Sequence, residues 1–259
     1  MNRSESDDCF ANLSAELDLW SEHQQSAKLF IRDDDAVEIT PELLHLQKMT
    51  EFRQTPLLLA VIPKFAKFEL GDFIERHPLI TPAVHGYSHE NHAGKGDKKI
   101  ELGGRQSVDQ VLEILDDAHN HMTRIFGHSL SKILVPPWNR ISEDVVAGIS
   151  DLGFHGVSGF GWKKQDTNIC WINTHVDIIN WRENASAKSI VQVIGELVDN
   201  LQTARQHGFV PIGILTHHLV HTQLSWHMLD ELFEYLCGHQ NVKWVNADDL
   251  IINIDPKLC

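Results

Sequence analysis

Three groups of residues carry side chains that could do chemistry. They are the carboxylate run Asp33-Asp34-Asp35, the pair His85 and His89, and the adjacent His217 and His218. Three neighbouring carboxylates repel one another and are costly to gather in a partly buried turn unless a cation or hydrogen-bond donors compensate them. The plain alternative is a solvated turn that caps the next helix. Two imidazoles four residues apart can reach one ion from a helix or a tight loop. The H-E-x-x-H pattern is absent, because Gly86 stands where its glutamate would be. Two imidazoles and one carboxylate supply the three protein ligands of an open catalytic zinc site, with water in the fourth position. The same set describes the facial triad of non-haem iron oxygenases, so ligand types alone leave the chemistry open. Histidine is abundant, 17 of 259 residues, which makes a metal or proton-transfer site worth seeking.

Short apolar runs that alternate with amphipathic stretches must position these groups. Candidate strands are 29–32, 57–62, 80–85, 133–135, 155–158, 171–176, 212–216 and 242–245, most of them continuously apolar as buried parallel strands are. Helix ends are readable between them. Thr40-Pro41 reads as an N-cap with proline at the first helical position, and Ser107 with Gln110 as a capping box. Ser142 is expected to cap a helix that stops at Gly153, and Gly208 to end one that begins near Lys188. Strand and helix repeated about eight times predict a single α/β domain over 1–259, a (β/α) barrel rather than a doubly wound sheet. A parallel barrel carries its functional groups at the C-terminal ends of its strands. The polar clusters 33–35, 85–92, 136–140, 177–182 and 217–218 each follow a candidate strand, so five clusters are expected to converge on one mouth.

Composition excludes several classes. With 36 acidic against 22 basic residues, a net charge of −14 and no basic run, nucleic acid is not an expected partner. No apolar stretch reaches membrane-spanning length, and the acidic start lacks the basic and apolar segments of a secretory signal, so a cytoplasmic location and no membrane partner are expected. Cys9, Cys170, Cys237 and Cys259 are far apart without C-x-x-C spacing, which predicts reduced thiols.

Five motifs then resemble one family in order. Arg32-Asp33-Asp34-Asp35 with Thr40-Pro41 is similar to the T-F-D-D-G and T-P of polysaccharide deacetylases. His85-Gly86-Tyr87-Ser88-His89 is similar to their H-[ST]-x-x-H, and Val135-Pro136-Pro137-Trp138 to R-x-P-Y. Asp177-Ile178-Ile179-Asn180-Trp181 resembles D-x-x-D-W, and Leu215-Thr216-His217 resembles L-x-H. The resemblance implies a distorted (β/α) barrel of seven or eight parallel strands and hydrolysis of N-acetyl groups on a sugar or small glycan. By position it makes Asp33 the general base, Asp34, His85 and His89 the ligands of a divalent metal, and His217 the general acid. A one-residue shift gives the base and ligand roles to Asp34 and Asp35 instead. Zinc is the expected ion, with cobalt, nickel, manganese or ferrous iron as alternatives. Such an ion would polarise the acyl oxygen and lower the pKa of bound water.

Trp138, Asn139, Arg140, Asp177, Trp181 and His218 are the expected substrate contacts, the two tryptophans as an apolar wall. Two departures stand out: Val135 replaces the family arginine that neutralises the catalytic aspartate, and Asn180 replaces an aspartate before tryptophan. Arg32, Arg140 and Arg182 are the candidates to substitute. The segment 94–104 reads as a loop beside the mouth. Three alternatives follow: hydrolysis of a linear or cyclic non-sugar amide on the same fold, a barrel that binds an acylated ligand without turnover, and an iron oxygenase.

Overall fold

A computed structural model describes residues 3–165 and 167–253. Its strands are β1 (Ala27–Ala36), β2 (Leu57–Val61), β3 (Ile80–His85), β4 (Ile133–Val135), β5 (Gly156–Val157), β6 (Cys170–Trp171) and β7 (Thr174–Asp177). They continue with β8 (Ile179–Asn180), β9 (Ser186–Ala187), β10 (Ile212–Thr216) and β11 (Val242–Trp244). One sheet runs in the order β6-β5-β4-β3-β2-β1-β10-β7, with β11 also on β1, and every pairing in it is parallel. The sheet curls into a half-barrel with helices outside it, a distorted (β/α) barrel as expected.

Strand alternation divides the core into two layers. Inside the curl, Phe30, Leu58, Ala60, Ala83, Ile133, Val135 and Ile172 form a small cluster that Ala247 and Leu250 of the last helix join. Outside, Leu29, Ile31, Leu57, Leu59, Val84 and Leu134 pack in a larger cluster with residues of the helices. The interior face of β1 therefore reads Lys28, Phe30, Arg32, Asp34, and Asp33 faces the other way.

The caps explain where helices begin. Thr40 Oγ1 accepts the Leu43 N–H ahead of helix Pro41–Phe52, and the Ser107/Gln110 box opens helix Val108–Phe126. Helix Ile190–Gln206 precedes Gly208, at φ 88°. Two expectations are corrected. The region from Ser142 to Gly153 is a short helix Glu143–Val146 and a separate 3-10 turn Ile149–Leu152, and Ser142 makes no side-chain cap. The expected strand 171–176 is split into β6 and β7, because the segment changes partner from β5 to β10. Asn173 at the break spends its amide on Gly159, Gly161 and Lys163.

Cys170 is disulfide-bonded, against the expectation of four reduced thiols. Among the described residues no helix is long and apolar enough to cross a membrane.

Candidate metal centre

The strand ends bring Asp35, His85 and His89 together, each offering a ligand atom within 4.8 Å of the others. Asp35 Oδ1 lies 3.2 Å from His85 Nε2 and 3.4 Å from His89 Nε2. It is buried and yet makes no hydrogen bond. A buried carboxylate oxygen pointed at two imidazole nitrogens without bonding to either is a donor set suited to a cation. His85 Nδ1 lies 3.0 Å from the carbonyl oxygen of Val135, which needs a proton on Nδ1 and so frees the Nε2 lone pair for an ion. Position 135, where the family arginine is missing, thus contributes its backbone.

Electrostatics agree with this reading. Burial pushes the Asp35 carboxyl up, but His85, His89 and His217 outweigh it and hold it well below the usual carboxylate range. Burial pushes His85 down, but Asp35 and Asp34 outweigh it and raise its proton affinity. His89 is lowered, by burial and by the charge of His85.

The carboxylate beside the imidazoles is therefore Asp35 and not Asp34, and the cause is local. The β1–β2 pairing shifts register between Asp33 and Ala36, and Asp35 adopts φ 74°. Such a bulge adds one residue and re-aims a side chain, so two successive carboxylates serve the same mouth. Strain gathers at this end of the barrel. Asp35, His89, Trp138 and Asn139 all have positive φ, a conformation that non-glycine residues hold only when their surroundings impose it.

Asp34 shares the interior face with Arg32, which binds it through two bonds, Nε to Oδ1 at 2.9 Å and Nη2 to Oδ2 at 3.0 Å. The buried guanidinium also donates to the Ser158 carbonyl at 2.7 Å and hydroxyl at 2.9 Å, to the Gly159 carbonyl at 3.1 Å and to Asn139 Oδ1 at 2.5 Å. Every donor direction of the fork is used, which is how a buried cation is kept without excessive desolvation cost. Of the three candidate arginines, Arg32 is the one on the carboxylate, and it comes from the same strand.

Asp33 is sealed. Its side chain is fully buried and accepts bonds from Thr216 Oγ1 at 2.6 Å, from the His218 backbone N–H at 2.9 Å and from His218 Nδ1. Burial raises both groups' cost of ionisation, but their mutual attraction outweighs it, leaving Asp33 lowered and His218 raised as an ion pair. Neither faces the mouth, so the geometry supports neither Asp33 as base nor His218 as a substrate contact.

The remaining expected residues do gather at the mouth. His217 Nε2 is 3.9 Å from Asp34 Oδ2, and its ring meets the Trp181 ring edge-on at 4.7 Å. Trp181 is half exposed and donates Nε1 to Asp177 Oδ2 at 2.8 Å, while Asp177 Oδ1 takes the Ile179 N–H. Burial pushes the Asp177 carboxyl up, with His217 opposing. The Trp138 ring lies 4.4 Å from that of His89. Asn139 serves Arg32, and Arg140 donates to the Lys99 carbonyl at 3.0 Å.

One contributor escaped the sequence reading. Glu101, within the loop 94–104, is buried and accepts the backbone N–H groups of Tyr87 and Ser88 and the Ser88 hydroxyl. It holds the turn that carries His89. Gly86 passes so near Glu101 and Pro137, at φ 56°, that a Cβ would collide with both. The only signal in the sequence was an acidic residue two positions beyond Lys98-Lys99.

No protein-family model and no curated protein matches the sequence. Solved structures do. A polysaccharide deacetylase structure from Mycobacterium smegmatis aligns at TM-score 0.67 with 14% identity, over 89% of this chain and 90% of that one. A family 4 acetyl xylan esterase from Clostridium thermocellum, in complex with a cobalt ion, aligns at TM-score 0.57 with 14% identity, over 89% and 95% of the two chains. A CE4-family pseudoenzyme from Bacillus anthracis aligns at TM-score 0.53 with 13% identity, over 81% and 60%. At such identities the likeness is one of fold. The chain has the fold of the polysaccharide deacetylase superfamily.

Proposed function

We propose that this protein is a metal-dependent amide hydrolase that removes an N-acetyl group from a sugar or small glycan. The observation that carries the reading is the convergence of Asp35, His85 and His89 beside an arginine-fixed carboxylate and a histidine. Asp35, His85 and His89 would hold a divalent ion, with zinc the first expectation from the donor set. Such an ion, when bound, supplies Lewis acidity toward an acyl oxygen and acidifies a coordinated water.

The chain's own residues do the rest. Asp34, gripped by the Arg32 fork and pointed into the mouth, accepts the proton of the attacking water. His217, across from it at 3.9 Å, delivers a proton to the departing amine. Trp138 and Trp181 flank this space and give an acetyl methyl and a sugar face somewhere apolar to lie. Arg32 answers the specific objection that a missing arginine leaves the base unneutralised, which is what favoured binding without turnover.

The test is elemental analysis of the purified protein joined to acetate release from a panel of acetylated sugars and simple amides. Near-stoichiometric divalent metal and acetate from a sugar are expected, and His85→Ala and His89→Ala should each lose the ion while remaining folded. Turnover of amides alone would move the substrate to the non-sugar class. Tight binding of an acetylated sugar without acetate release would make the barrel a binding protein, and oxygen consumption with ferrous iron would revive the oxygenase.

A further inference from the structure

The even-numbered face of β1 does two things at its two ends. Arg32 and Asp34 serve the mouth, and Lys28 and Phe30 line a separate cavity of about 210 Å³ near the N-terminal ends of the strands. Six residues of strand, at about 3.3 Å each, put roughly 20 Å between Lys28 and Asp34. The cavity lies between the starts of β1 and β10, the broken segment of β6 and β7, and the loop around Gly161.

Its walls are aromatic. Phe30, Trp162, Trp171 and Phe209 contribute rings. Trp162 is fixed rather than loose: His175 lies against it at 4.5 Å, His207 stacks on it at 5.6 Å, and its Nε1 donates to Asn200 Oδ1 at 2.9 Å. Its charged lining groups are cations, beside the amides of Gln25 and Asn173 and the ring of His175. His175 Nδ1 accepts the Gly213 N–H at 3.2 Å, so the neutral ring carries its proton on Nε2, and that N–H has no protein partner among the described residues. Burial, with the charge of Lys164, pushes this ring down to about 4, so it is neutral near pH 7. Lys28 and Lys164 add ammonium groups, and none of the described lining residues is acidic, in a chain with 36 acids against 22 bases.

We propose that this cavity is a binding site for a small flat apolar molecule that carries a carboxylate or similar compact anion. The rings hold the flat body, and Lys28 with the His175 Nε2–H receives the anionic end. Size fits the class, since an apolar cavity of about 150 Å³ suffices for benzene. The site is independent of the metal centre and of the activity proposed for it.

Fluorine NMR titration of the intact chain with 4-fluorobenzoate, beside the neutral 4-fluorobenzyl alcohol, tests the proposal. Saturable one-site binding is expected, with the acid preferred by about fivefold, the worth of one partly screened charge contact. Lys28→Glu and His175→Phe should each weaken the acid by a similar factor and leave the alcohol nearly unchanged. Lys28 is exposed, so its reversal leaves the fold intact, which an unchanged melting temperature verifies, and Lys28→Arg should bind like the parent. His85→Ala should also bind like the parent. Absence of saturation, equal affinity for acid and alcohol, unchanged binding in either cavity variant, or loss in His85→Ala would each overturn the site.

Discussion

At the scale of residues, the three aspartates separate into three environments within one strand end. Asp33 belongs to a buried ion pair with His218, Asp34 to the Arg32 fork, and Asp35 to the two imidazoles. Asparagine at each position should therefore give three phenotypes. Asp35→Asn loses the ion and with it turnover. Asp34→Asn keeps the ion and loses turnover by roughly a hundredfold to ten-thousandfold, the range for a general base. Asp33→Asn keeps the ion and instead loses stability, by about 3 kcal/mol, because it leaves the buried His218 without its counter-charge. Elemental analysis, acetate release and denaturant titration separate these outcomes. An Asp34→Asn variant that turns over like the parent removes it as the base.

At the scale of elements, the strand ends work because the helices outside the sheet hold it curled. Helix Arg3–Glu22 packs along helix Ile190–Gln206, burying Leu13, Leu17 and Trp20 completely, and Arg205 pairs with the buried Glu16 at 2.9 Å. Leu17→Ala is expected to cost about 2–5 kcal/mol, the cavity penalty of a fully buried leucine. The denaturation midpoint should fall while metal content at native conditions stays that of the parent. A variant as stable as the parent would show that this helix contributes little to the barrel. Element existence was readable from apolar periodicity and caps, as Thr40-Pro41 and Ser107 show. The break inside 171–176 was not, because it depends on a change of partner strand and on the amide of Asn173, neither of which alters the local apolar pattern.

At the scale of the whole molecule, stability should fall as acid is added. His175 and His221 are pushed down to about 4, chiefly by burial. A histidine whose folded value lies below its unfolded one, near 6.5, contributes its full stability above the unfolded value and loses it as pH falls toward the folded one. These two rings should therefore make the melting temperature drop between about pH 6.5 and 4, whereas His85 and His218, whose proton affinity is raised in the fold, lower it as pH rises above about 6.5. Proton NMR should find the His175 ring titrating near 4. A melting temperature that rises over that window would show that these rings are not buried neutral in solution.

The sequence by itself determined the parts and their order. Strand runs of apolar residues, polar clusters after them, two histidines four apart and an aspartate run were sufficient for a parallel barrel with a candidate metal mouth, since each is a local pattern with a local physical cause. Tertiary structure decided which neighbour does what. A period of two assumes extended backbone, and the bulge at Asp35 breaks it by one residue, so the carboxylate beside the two imidazoles is Asp35 rather than Asp34 without any change in composition. Arg32 reads as a strand residue until Ser158, Gly159 and Asn139, more than a hundred residues away, close around its guanidinium. His218 reads as part of the mouth until the fold turns it against Asp33, in the layer between sheet and helix. In each case the deciding partner is remote in the chain, and only packing in three dimensions brings it within reach.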